Sequence, residues 1–152
     1  MFLGGVEVSR ENGLLGHSDG DVLLHAVADA ILGALSMGDI GRIFPDTDPA
    51  IKGISSIKIL EKVSGMMKNQ GFELGNLDCV VVAEQPKIAS FGGKIEELIS
   101  GVLFSETRNV SVKGKTKEGL GEVGSGKAIE AYATVLLVDR GCAVRNSAKK
   151  EA

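Results

Sequence analysis

Apolar residues along this chain change their spacing, from every third or fourth position to unbroken runs and back, and this restricts it to folds that mix helix and sheet. From Asp21 to about Met37, Val22, Leu23, Leu24, Val27, Ile31, Leu32 and Leu35 predict a helix, with Ser18 as the cap of a capping box and Gly38 as the stop. Ile57, Leu60, Val63 and Met67 predict a second helix over Ser56 to Asn69, ended by Gly71; Ile95, Leu98, Ile99 and Val102 predict a third near Gly93 to Phe104. Leu77 to Ala83 reads as a buried strand, Asn109 to Lys113 as another and Ala128 to Val138 as a last. Phe2 to Val8, a turn at Ser9 to Gly13 and Leu14 to Gly16 read as a hairpin.

This order predicts one α/β domain over residues 1–140, a two-layer sandwich with a mixed sheet and helices on one face, followed by a polar, mobile tail over 141–152. The uncovered sheet face of so small a domain predicts packing against further copies. Seventeen basic and twenty acidic residues, a net charge of −3, argue against an electrostatic grip on nucleic acid or on an anionic membrane. No apolar run approaches the roughly 20 residues of a membrane span, and Met1-Phe2-Leu3-Gly4 lacks the basic start of a secretory signal, so a cytoplasmic protein is expected. Cys79 and Cys142 have no paired spacing and read as ordinary thiols.

Four segments carry polar groups with no packing reason. Asp21, His25 and Asp29 recur every fourth residue on an otherwise apolar helix, which fits either an exposed polar face or metal ligation. His17 and Ser18 precede that helix, where backbone donors and the helix dipole favour an anion. Asp39, Asp46 and Asp48 lie on a loop stiffened by Pro45 and Pro49; they suit polyol hydroxyls or a hard cation, and equally suit turn capping. Lys115-Thr116-Lys117-Glu118, followed by glycines, could wrap a phosphate and offer Glu118 to its magnesium ion, or form a plain basic loop.

Taken together, His17-Ser-Asp-Gly-Asp-Val-Leu-Leu-His25, Gly38-Asp-Ile-Gly41, Phe44-Pro-Asp-Thr-Asp-Pro49 and Pro86-Lys87 ahead of Lys113-Gly-Lys-Thr116 closely resemble the 2-C-methyl-D-erythritol 2,4-cyclodiphosphate synthases, cyclases of the non-mevalonate isoprenoid pathway. The resemblance runs from about Leu3 to Val138. It implies an intramolecular phosphoryl transfer that expels CMP, with zinc or another divalent transition metal and magnesium or manganese as cofactors. It further implies a homotrimer with active sites between subunits.

By the same resemblance, His25 matches a zinc ligand and Glu118 the magnesium carboxylate, itself close to substrate. His17 and Thr116 match the pair that stabilises the transition state. Ser18, Asp39, Ile40, Gly41, Phe44, Pro45, Asp46, Thr47 and Asp48 match the pocket for methylerythritol and its phosphates. Ala83, Lys87, Ile88, Ala89, Gly114 and Lys115 match the cytidine pocket, and Asp29 is expected to orient His25.

Departures are local. The family's Gly-x-Asp-x-His segment, source of two further zinc ligands, has no counterpart here, and Met1 to Gly5 align beyond it; a shortened chain is the expectation. The alternative functions are a metal-deficient trimeric module that binds a cytidine nucleotide or an isoprenoid, and a phosphohydrolase with a linear product. A plastid-type compartment is the alternative location if a targeting segment has been removed. Glu122 and Ser125 stand where relatives often carry an aromatic and an arginine.

Overall fold

The computed structural model describes residues 1–10, 19–45 and 53–141. Strands β1 (Phe2–Leu3) and β2 (Val6–Glu7) pair antiparallel around Gly4 and Gly5, whose φ angles of 60° and 78° give the tight reversal. The hairpin thus closes before the expected Ser9–Gly13 turn, because two adjacent glycines supply the left-handed backbone at once. Its expected second arm, Leu14 to Gly16, lies outside the described residues.

Helix α1 (Val22–Ala34) is capped by Asp21, whose side chain accepts from Leu24 N–H at 3.1 Å; Ser18, the expected cap, is not among the described residues. The helix ends earlier than expected. Ser36 takes the left-handed position at φ 58°, and Met37 N–H reaches back to Leu32 O at 2.9 Å, so the chain has already left the helix before Gly38. A single turn, α2 (Ile40–Ile43), follows in the segment expected to be loop. Helix α3 (Ser56–Asn69) falls where its periodicity puts it, capped by Ser55.

Strand β3 (Phe72–Val82) starts well before Leu77. The register with its antiparallel neighbour slips between Leu74 and Asn76, and that bulge breaks the alternation by which a strand is recognised in sequence. Helix α4 (Gly92–Leu103), strand β4 (Val110–Lys115), the turn α5 (Gly121–Gly124) and strand β5 (Glu130–Asp139) complete the described fold.

The sheet order is β4-β3-β5, with β3 parallel to β4 and antiparallel to β5, so the mixed sheet is as expected. Helix α4 supplies the crossover that a parallel pair requires. Helix α1 packs on β5 and α3, and α4 packs on β4 and α3. Leu23, Val27, Ile31, Leu60, Val63, Leu77, Cys79 and Val81 are buried between helices and sheet. On β5, Ala131, Ala133, Val135 and Leu137 join this core, while Tyr132 and Leu136, of opposite parity, are each 59% exposed.

Candidate active site

The polar stripe on α1 serves three separate purposes. Asp21, fully buried, accepts from Gly4 N–H at 2.9 Å and Gly5 N–H at 2.7 Å as well as from Leu24, so it fastens the hairpin to the helix start. Burial pushes its carboxyl above the ordinary 3.8, although the Gly5, Leu24 and Gly4 donors favour the charged form. With its oxygens occupied by backbone, Asp21 is neither an exposed residue nor a metal ligand. Asp29, one turn beyond His25, accepts from Ile40 N–H at 2.8 Å and anchors α2.

A hydrogen bond at the His25 ring comes from α3. Ser56 Oγ lies 3.0 Å from His25 Nε2 and donates to Asp19 Oδ1 at 2.5 Å. Ser56 N–H donates to Asp19 Oδ2 at 3.0 Å, and Asp21 N–H to Asp19 Oδ1 at 3.3 Å. Burial alone would raise the Asp19 carboxyl; the Ser56 donors, the Asp21 N–H and the charge of His25 outweigh it and hold Asp19 below 3.8. Ser56 does not stand out in the sequence, where it reads as the first residue of an amphipathic helix, and Asp19 enters there only as part of the motif from His17 to His25.

At the carboxyl ends of β3 and β4 a cavity of about 280 Å³ is lined by Ala83, Pro86, Lys87, Ile88, Ala89, Gly114, Lys115 and Thr116. Parallel strands end side by side there, the usual place for a ligand in such sheets. Ala83 N–H donates to Lys115 O at 2.9 Å, joining the two loops at their base. Glu84 joins them again, accepting from Lys117 N–H at 2.9 Å and Gly119 N–H at 3.4 Å. At the cavity Thr116 Oγ1 donates to Glu118 Oε1 at 2.5 Å, and Glu118 itself holds a left-handed φ of 51°.

Ala83, Lys87, Ile88, Ala89, Gly114, Lys115 and Thr116, scattered over 34 positions, thus share one cavity, with Glu118 beside Thr116. Pro86 lines it too, and Glu84 braces it. Asp39 caps α2, accepting from Arg42 N–H at 3.1 Å, so turn capping is part of what it does. Ile40 is half-buried, Gly41 and Pro45 are exposed, and Phe44 places its ring 5.1 Å from Lys62 Nζ. His17, Ser18, Asp46, Thr47 and Asp48 lie outside the described residues.

Among the described residues no three His, Cys, Asp or Glu side chains gather closely enough to hold a metal ion. The donor chemistry nonetheless fits at single positions. His25 has its ring oriented by a hydrogen-bonded neighbour, as metal-ligating histidines do, and Glu118 offers a hard carboxylate oxygen.

The YgbB family model matches residues 1–138. A 2-C-methyl-D-erythritol 2,4-cyclodiphosphate synthase of Trichlorobacter lovleyi is 51% identical over 138 residues, 91% of this chain and 88% of its own. Among solved structures, the bifunctional IspDF of Campylobacter jejuni matches at 37% identity with a TM-score of 0.88; the alignment covers 93% of this chain and 39% of that longer one. The Plasmodium falciparum IspF CDP complex matches at 38% identity with a TM-score of 0.78, over 91% of this chain and 83% of its own.

Proposed function

Because the chain belongs to the YgbB family, we infer that it is a cyclase acting on 4-diphosphocytidyl-2-C-methyl-D-erythritol 2-phosphate. The 2-phosphate attacks the β-phosphate, the bond to CMP breaks, and 2-C-methyl-D-erythritol 2,4-cyclodiphosphate forms. The observation that carries this reading is the cavity at the ends of β3 and β4, lined by residues suited to a cytidine nucleotide, in a chain 51% identical to a synthase of this name.

Such a reaction needs no outside nucleophile, so the protein must fold the substrate on itself and offset charge on the transferred phosphoryl. Ala83, Ile88, Ala89 and Gly114 form the pocket for the base, while Lys87 and Lys115 bring positive charge to the phosphates. Thr116 and His17 stabilise the transferring phosphoryl. Ser18, Asp39, Ile40, Gly41, Phe44, Pro45, Asp46, Thr47 and Asp48 hold the methylerythritol and its phosphates.

His25 would hold zinc, and Glu118 would hold magnesium or manganese. When bound, these ions supply positive charge that polarises the phosphates. The uncovered sheet face with Tyr132 and Leu136 supports a homotrimer whose sites lie between subunits. Among the described residues no helix is long and apolar enough to cross a membrane, in keeping with a cytoplasmic enzyme.

Phosphorus NMR on the full chain with substrate, zinc and magnesium tests the proposal. CMP together with a cyclic diphosphate is the expected result. A linear diphosphate would show hydrolysis and overturn it.

A further inference from the structure

At the start of α3, two neighbours compete for one hydroxyl proton. The wholly buried Ser56 places its Oγ 2.5 Å from Asp19 Oδ1 and 3.0 Å from His25 Nε2. A serine hydroxyl has one proton to give, an ionised carboxylate has none, and a neutral imidazole carries a single N–H. The proton of Ser56 therefore goes to Asp19, and Oγ can bond His25 Nε2 only by accepting its N–H. Asp19 is fixed in this arrangement, since its Oδ2 takes the Ser56 backbone N–H at 3.0 Å.

We propose that Ser56 and Asp19 are positioning residues that hold the His25 proton on Nε2 and so leave the basic lone pair on Nδ1, the nitrogen that would then donate to a metal ion. The opposite tautomer would put an N–H on the nitrogen that must donate electrons to the metal. Asp19 sets the direction of the Ser56 hydroxyl, and the hydroxyl sets the ring. The metal-binding purpose of this chain of hydrogen bonds rests on the cyclase reading; its direction rests on proton counting alone.

The chain has two histidines, so the imidazole region of a long-range proton–nitrogen NMR spectrum shows only two rings. On the full chain without metal, the neutral His25 ring is expected in the Nε2–H form with a slowly exchanging proton. Ser56→Ala should speed that exchange by about tenfold or more while the amide spectrum stays dispersed. In Asp19→Asn the backbone N–H of Ser56 draws the amide oxygen, so the amide N–H₂ faces Oγ. The Ser56 proton then turns to Nε2, and His25 should shift to the Nδ1–H form.

A wild-type His25 protonated on Nδ1 overturns the proposal, as does an unchanged exchange rate in Ser56→Ala or an unmoved ring in a folded Asp19→Asn. Because no substrate or metal is present, these results are independent of turnover. A chain that shows the Nε2–H form but yields a linear diphosphate supports the positioning assignment and counts against the cyclase reading instead.

Discussion

Ile88 packs over Gly114 so closely that a Cβ on Gly114 would stand 2.9 Å from Ile88 Cβ. The absence of a side chain at that point of β4 is what allows the loop after β3 to close onto the strand and form the cavity. Gly114→Ala should cost about 1–3 kcal/mol, as overpacking of a tight contact does, and should weaken CDP binding. Urea unfolding and calorimetry with CDP check both. In an Ile88→Gly background, which removes the opposing Cβ, the added methyl should cost less, and equal cost in both backgrounds would show that the two residues are not coupled.

Glu84 holds the segment that carries Thr116 and Glu118 by two backbone N–H groups. Glu84→Ala leaves the core untouched, so stability should change by less than about 1 kcal/mol, while turnover should fall about 10- to 100-fold through lost positioning. Steady-state kinetics beside a thermal melt separates the two. A large drop in stability with normal turnover of the folded fraction would contradict the bracing role.

The Asp19 and Asp21 carboxyls are displaced in opposite directions from the ordinary value. Burial holds the Asp21 carboxyl above 3.8, so the folded chain binds its proton at a pH where the unfolded chain does not. The contribution of Asp21 to stability thus grows as pH falls through the window above 3.8 and declines as pH rises through it. Asp19, held below 3.8 despite its partial burial, contributes stability that is present above that value and lost as pH falls through its folded pKa. A carbon NMR titration of the two carboxyls reads both midpoints, and Asp21 titrating at or below 3.8 would refute the burial argument.

His25→Ala should abolish turnover and leave CDP binding nearly unchanged, because the cavity is built from β3 and β4 while His25 stands on α1. The same phosphorus NMR assay, paired with CDP calorimetry, provides the check. Normal turnover in the variant would remove His25 from the metal site.

Asp21→Asn removes one of the two oxygens that receive Gly4, Gly5 and Leu24. Its amide N–H₂ must then face a buried backbone N–H, which should cost about 1–3 kcal/mol. Because the hairpin and α1 share this carboxylate, the loss should appear as faster hydrogen exchange at Gly4 and Gly5. Exchange protected as in wild type would show that the hairpin is held by its packing alone.

The three long helices and the strands were legible because apolar periodicity is a local property of the chain. Ser56 to Asn69 shows it directly, since Ser56, Ile59, Leu60, Val63, Ser64 and Met67 recur at the three- and four-residue spacing that keeps them on one buried face. The signal failed where local order breaks: the bulge between Leu74 and Asn76 hid the first residues of β3, and Ser36 ended α1 at a residue with no special marking. The chemical motifs from Asp39 to Pro45 and from Ala83 to Glu118 were likewise visible as residue types, which is enough to recognise a family.

The sequence by itself determined the helix and strand content, the mixed α/β class and the kinship with the cyclases, because these depend on spacing and on short runs of particular residues. Only the tertiary structure decided what each polar group does. Asp21, His25 and Asp29 are equivalent by spacing, yet one fastens a hairpin, one meets Ser56 across 31 residues of chain, and one anchors α2. Hydrogen bonds act over about 3 Å, and which groups come that close depends on how helices dock against one another and against the sheet.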